Sequence, residues 1–126
     1  EFYNIYTIKM LLQKSEDEEL QPLQMILVNV VMGNRYYTKD QIFNAMERIQ
    51  QQLRPVEVMG EIRRGRFIIL AYRTPVEIAR KRVRMMEDIC KSIEETEGFT
   101  ITCQLIEEDG RKAIERFEEC QMEGMV

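Results

Sequence analysis

Apolar residues run almost without a break from Met25 to Met32, with Asn29 the one polar position and Gly33-Asn34 behind them. A run of that length with that flank predicts a strand buried on both faces. Thr38-Lys-Asp-Gln41 then matches a capping box, with Thr at the N-cap and Gln at N3. Ile42, Met46, Ile49 and Leu53 follow at helical spacing with Ala45 on the same side, and Pro55 closes the pattern. Val56–Ile62 and Phe67–Arg73 read as two strands joined by a hairpin turn at Arg63-Arg64-Gly65-Arg66. A second helix is expected from Thr74 as N-cap, Pro75 at N1 and Glu77 at N3. Its apolar stripe is Val76, Ala79, Val83, Met86, Ile89 and Ile93, and Gly98 ends it. From Phe99 to Leu105 apolar and polar residues alternate, which predicts a strand with one buried face.

The ends of the chain are less sharply patterned. Phe2–Leu12 is rich in aromatic and β-branched residues and reads as a strand, although Ile5, Ile8, Leu11 and Leu12 also fit a helical stripe. Ser15–Leu20 reads as an acidic loop or a short helical turn. Ala113, Ile114, Phe117 and Cys120 mark the inner face of a C-terminal helix.

These elements predict an α+β fold. Its core is a ferredoxin-like β-α-β-β-α-β sheet with helices on one face, plus an N-terminal strand or helix and a C-terminal helix. The chain of 126 residues is expected to form one α+β domain over residues 1–126. Its core spans about 24–106, with an N-terminal extension 1–23 and the C-terminal helix at about 109–124. In that topology the first and third strands lie at the centre of the sheet. The two continuous apolar runs, Met25–Met32 and Phe67–Tyr72, fall on those strands, and the alternating run falls on an edge. Both faces of the central strands are therefore apolar, and something must cover the face away from the helices. The candidates are the N-terminal segment, the C-terminal helix or a second copy of the protein.

Charge adds a second theme. The chain carries a formal charge of −4, yet Ile62–Arg84 holds eight basic residues against the single acid Glu77. Arg63, Arg64 and Arg66 fall at the hairpin, whereas Arg80, Lys81 and Arg84 fall on the second helix. Together they form the candidate nucleic-acid or phosphate-binding set. The competing reading is a solvated or interface-forming face, since Arg80 has Glu77 at i−3 and Arg84 has Asp88 at i+4. The acidic stretch after Met85 opposes strong non-specific affinity for phosphate.

Chemistry is sparse. The chain has no histidine, which removes Ser/His/Asp and Cys/His nucleophilic machinery and the commonest transition-metal ligand. Cys90, Cys103 and Cys120 are widely spaced with no Cys-x-x-Cys, so they read as buried reduced thiols of a cytoplasmic protein. No carboxylate group has a ligand spacing, so no metal and no cofactor is expected. No apolar run approaches the ~20 residues needed to span a bilayer, so no membrane partner is expected.

The third strand, Arg66-Phe-Ile-Ile-Leu-Ala-Tyr72, lacks the glycine and aromatic pattern of an RNA-recognition module, and the first central strand has no aromatic residue. The element order from Met25 to Phe117, with a helix opening Thr38-Lys-Asp-Gln-Ile42, resembles that of the small basic protein subunit of ribonuclease P. Glu107-Glu108-Asp109 stands where that family has a glycine-rich turn, so the likeness is confined to topology. The expectation is a non-enzymatic binding or assembly module that associates with itself or a protein partner through its apolar sheet face. The alternatives are an RNA- or phosphate-binding protein using the arginine-rich hairpin and helix, and a regulatory domain sensing a small molecule.

Overall fold

The computed structural model describes residues 2–14, 18–31 and 37–107. The C-terminal helix expected at about 109–124 lies outside the described residues. Helix α1 spans Ile5–Lys14 and strand β1 spans Gln24–Val31, with a short 3-10 turn at Glu18–Leu20 between them. Helix α2 (Lys39–Gln50), strands β2 (Glu57–Arg63) and β3 (Arg66–Ala71), helix α3 (Val76–Glu97) and strand β4 (Thr100–Ile106) follow. The fold is α+β. Its four strands form one antiparallel sheet in the order β2-β3-β1-β4, so β3 and β1 occupy the centre.

Each face of the sheet has its own core. On one face Ile26, Val28 and Val30 of β1, Phe67 and Ile69 of β3 and Ile101 of β4 pack against the apolar stripes of α2 and α3. Those stripes are Ile42, Ala45, Met46 and Ile49, and Val83, Met86, Cys90 and Ile93. Arg48 joins the two helices by donating to the hydroxyls of Thr96 and Ser92, each at 2.8 Å. On the other face Met25, Ile62, Ile68, Leu70 and Ile106 gather under Ile8 and Leu12 of α1. The continuous apolar runs of β1 and β3 follow from this arrangement, because both of their faces are covered.

The N-terminal segment is the first correction. It is a helix, not a strand, apart from one bridge between Tyr3 and Gly60. Aromatic and β-branched content favours a strand as a local preference. Here the stripe of Ile5, Ile8, Leu11 and Leu12 prevails, because it matches an apolar sheet face that needs a cover. Gly60 sets the fit. A Cβ built there would lie 2.5 Å from both Cδ1 and Cγ1 of Ile8 and 2.9 Å from the backbone oxygen of Tyr3.

The helix ends are a mixed result. The capping box of α2 is present: Gln41 N–H donates to Thr38 Oγ1 at 3.1 Å, and Thr38 N–H donates to Gln41 Oε1 at 2.8 Å. Thr38→Ala should therefore cost about 1 kcal/mol, read by denaturant melts, with Thr38→Ser close to the parent. The predicted cap of α3 shifts by one residue. Pro75 is the N-cap, with no side-chain cap bond. The hydroxyl of Thr74 is drawn the other way, donating to Tyr72 O at 2.7 Å, and the residue is wholly buried. Gly98 ends α3 at φ 80, the left-handed conformation that glycine adopts without strain. Among the described residues no helix is long and apolar enough to cross a membrane.

Candidate functional site

The hairpin arginines stand together, and the helical ones stand apart from them. Arg64-Gly65 makes the turn between β2 and β3, with Gly65 at φ 81 and Arg63 opposite Arg66. Arg64 Nη2 donates to Tyr37 O at 3.1 Å, and Arg66 Nε donates to Asn29 Oδ1 at 3.2 Å. Asn29, the polar interruption in β1, thus holds an arginine on the face that α1 covers in part. Arg80 is 3.7 Å from the carboxylate of Glu107, just past the end of β4. That end of the sheet lies at Met25, whereas Arg66 is opposite Asn29 and Val30 N–H donates to Gly65 O. Five residues of strand separate the two levels, about 17 Å. Lys81 and Arg84 are exposed on α3. The six candidate residues therefore do not form one patch.

A cleft of ≈ 310 Å³ opens beside the hairpin, lined by Phe2, Lys39, Ile42, Phe43, Glu61, Arg64 and Phe67. Phe2 anchors it, with ring centroids 5.4 Å from Phe43 and 5.3 Å from Phe67. Burial raises the Glu61 carboxyl above its ordinary value, and the charges of Lys39 and Arg64 only partly offset this.

The strongest electrostatic feature involves a residue outside the predicted set. Glu57 opens β2 with its side chain fully buried. Arg82 of α3 grips it bidentately, Nη2 to Oε1 at 2.6 Å and Nε to Oε2 at 3.0 Å. Arg54 adds its backbone N–H to Oε1 at 2.8 Å and Nη2 to Oε2 at 3.3 Å. The same Nη2 reaches the Thr74 hydroxyl at 3.0 Å, and Arg82 Nη2 reaches Gln52 O at 2.8 Å. Burial pushes the Glu57 carboxyl up. The hydrogen bonds and charge of Arg82, with the Arg54 bonds, outweigh it and hold the carboxyl below 4.5. Alternation signals the position in the sequence: Met59 points into the core, so Glu57 two residues earlier points there too.

Arg73 is also committed to structure. It sits at φ 50, donates through Nε to Glu19 O at 2.8 Å, and through its backbone N–H to Leu20 O at 3.0 Å. Of the eight basic residues that mark this stretch of sequence, Arg73 and Arg82 thus hold the fold together.

The two edges of the sheet are unlike. β2 (EVMGEIR) carries three charged residues, a glycine and a register irregularity between Glu61 and Arg63. Tyr3 lies along its free side, donating to Met59 O at 3.3 Å and accepting from Glu61 N–H at 2.7 Å. β4 (TITCQLI) carries no charge, no glycine and no proline. Beside it on the open part of the second face, Val31 is 43% exposed, and Thr100, Thr102 and Gln104 are exposed. Further apolar surface lies on the outward side of α1, at Tyr6 and Met10, and at Tyr3 before it.

Among the described residues no cluster of three or more Cys, Asp or Glu is arranged to hold a metal ion. No protein-family model matches the chain, and no curated protein matches it.

Proposed function

We propose that this chain is a non-enzymatic binding and assembly module with a ferredoxin-like core, and that it associates with a second copy of itself along β4. The sheet order β2-β3-β1-β4, with α2 and α3 as the two crossovers, supports the ferredoxin-like assignment. The difference between the two edges carries the functional reading. An edge strand offers unpaired N–H and C=O groups, and soluble proteins blunt such edges with charges, proline, bulges or a covering segment. β2 has charges, an irregularity and Tyr3, and β4 has no such protection within its seven residues. Antiparallel pairing of β4 with its own copy about a two-fold axis brings no like charges together, because the strand has none. It also aligns the open parts of the two sheet faces, where Val31 is exposed.

The expected result is a dimer by sedimentation velocity over a wide concentration range. Thr102→Lys with Gln104→Lys should convert it to a monomer by bringing four ammonium groups together at the seam. Both positions are exposed, so monomer stability should change by only about 0.5 kcal/mol per site. A parent protein that is monomeric at every concentration overturns the reading.

A phosphate- or RNA-binding reading has one observation in its favour: Lys39 and Arg64 line a cleft floored by Phe2, Phe43 and Phe67. It rests on the hairpin arginines and Lys39, with Arg80, Lys81 and Arg84 outside it. Salt-dependent RNA binding that is lost in Arg63→Ala/Arg64→Ala/Arg66→Ala supports it, and binding unaltered in that variant excludes it. A small-molecule-sensing reading would take the same cleft as its candidate ligand site.

A further inference from the structure

The sulfur atoms of Cys90 and Cys103 lie 3.4 Å apart, one on the inner face of α3 and the other on β4. Spacing along the chain gives no hint of this contact, because thirteen residues and the Gly98 turn separate the two. Both belong to the core between the sheet and its helices. Their exposure differs: Cys90 is 4% exposed, and Cys103, on the edge strand, is half-buried. A disulfide needs the two sulfurs about 2.05 Å apart. Closing the remaining gap asks for a small movement of α3 against β4, a strand paired on one side only within this chain.

We propose that Cys90 and Cys103 form an oxidisable dithiol, which hydrogen peroxide converts to an internal disulfide fastening α3 to β4. The two sulfurs share a hydrogen bond, and its effect is unequal. The bond from Cys103 holds the Cys90 thiol below its usual value, against burial and the nearby charge of Glu87. The same bond, with burial, drives the Cys103 thiol upward. Cys90 is thus the sulfur that loses its proton first, and Cys103 is the one that keeps it.

The chemistry balances with peroxide as the oxidant. The Cys90 thiolate attacks one peroxide oxygen; an S–O bond forms, the O–O bond breaks, and hydroxide leaves to take up a proton as water. The Cys103 sulfur then attacks the sulfur of the Cys90 sulfenic acid. An S–S bond forms, the S–O bond breaks, and the Cys103 proton leaves with the departing hydroxide as a second water. Two thiols and one peroxide give one disulfide and two waters, and two electrons pass from the sulfurs to oxygen. This inference stands independently of the assembly reading.

The test uses the full chain with Cys120→Ser, so that two thiols remain. After reduction and removal of the reductant, the protein is treated with hydrogen peroxide, alkylated and digested, and its peptides are weighed. The expected result is one linked pair of peptides containing Cys90 and Cys103, lighter by two hydrogens than the reduced pair and released by dithiothreitol. Sulfoxide at Met10, which is 55% exposed, reports that the dose was sufficient. With Cys103→Ser added, Cys90 should gain oxygen and no linked peptide should form. The proposal is overturned if both thiols stay free while Met10 is oxidised. It is also overturned if the cysteines gain oxygen without linking, or if the link joins two chains.

Discussion

Arg82→Met should destabilise the fold by about 3–5 kcal/mol, the range for removing one partner from a buried ion pair. The side chain of Glu57 is fully buried and that of Arg82 is 13% exposed, so water does not replace the lost guanidinium. Arg54 remains, but its own side chain is one-third exposed and its closest guanidinium contact with the carboxylate is 3.3 Å. The cost arises from the carboxylate left behind. Glu57→Met combined with Arg82→Met should therefore recover most of the loss, since apolar replacements of similar volume remove both desolvated charges. A double-mutant cycle by urea unfolding measures the coupling.

The same pair sets a pH signature. The folded-state value of the Glu57 carboxyl lies below the 4.5 of an exposed glutamate. A depressed carboxyl contributes stability above the unfolded value, and that contribution disappears as pH falls through the folded value. In Arg82→Met the burial remains and the main compensating partner is gone, so the folded value rises. The difference in stability between parent and variant should accordingly be largest near neutral pH and narrow below 4.5. A difference that stays constant down the acid limb contradicts this account of the pair.

Gly60→Ala is the second large effect. No positive φ requires glycine here, so the backbone accepts alanine and only space opposes it. The new Cβ meets Ile8 at 2.5 Å and the Tyr3 backbone oxygen at 2.9 Å, and the second of these has no rotamer to change. Overpacking of this kind costs about 1–3 kcal/mol, which exceeds the ~0.5–1 kcal/mol that alanine gains over glycine within a strand. The strain falls on the seat of α1, so Gly60→Ala should also increase binding of an apolar dye as Ile68 and Leu70 lose their cover. Ile8→Ala alone should cost about 2–5 kcal/mol through the cavity it leaves. The two together should cost less than their sum, because the methyl group at 60 fills part of that cavity. Strict additivity overturns the proposed contact.

Much of the core was legible because local and tertiary demands agreed there. β1 and β3 read as continuous apolar runs because helices cover both of their faces, and β4 alternates up to Leu105 because its second face is open at Thr100, Thr102 and Gln104. The Thr38 capping box and the Gly98 terminator are local chemistry and were readable as such. The N-terminal helix was misread because its composition favours a strand, while the face that selects a helix is assembled from residues spread between Met25 and Ile106. The Thr74 cap failed because its hydroxyl is engaged elsewhere, accepting from Arg54 Nη2 and donating to Tyr72 O.

The candidate site was less legible, for a different reason. Arg63 to Arg84 are neighbours in sequence, but the chain runs down β3 before α3 begins, which moves Arg80 to the far end of the sheet beside Glu107. Arg82 looked like one more surface cation in a basic tract. Its partner Glu57 lies twenty-five residues away, and no spacing rule links them. Cys90 and Cys103 meet for the same topological reason.

The cover on the second sheet face has one more consequence. α1 is ten residues long, and a free helix shorter than about 12–15 residues is marginal in water. Its aromatic and β-branched residues weaken it further. The segment is therefore helical because it is docked, and losing its seat and losing its helix are one transition. The sheet carries a latent apolar surface, and the helix–coil equilibrium of a single short segment governs how often that surface meets solvent.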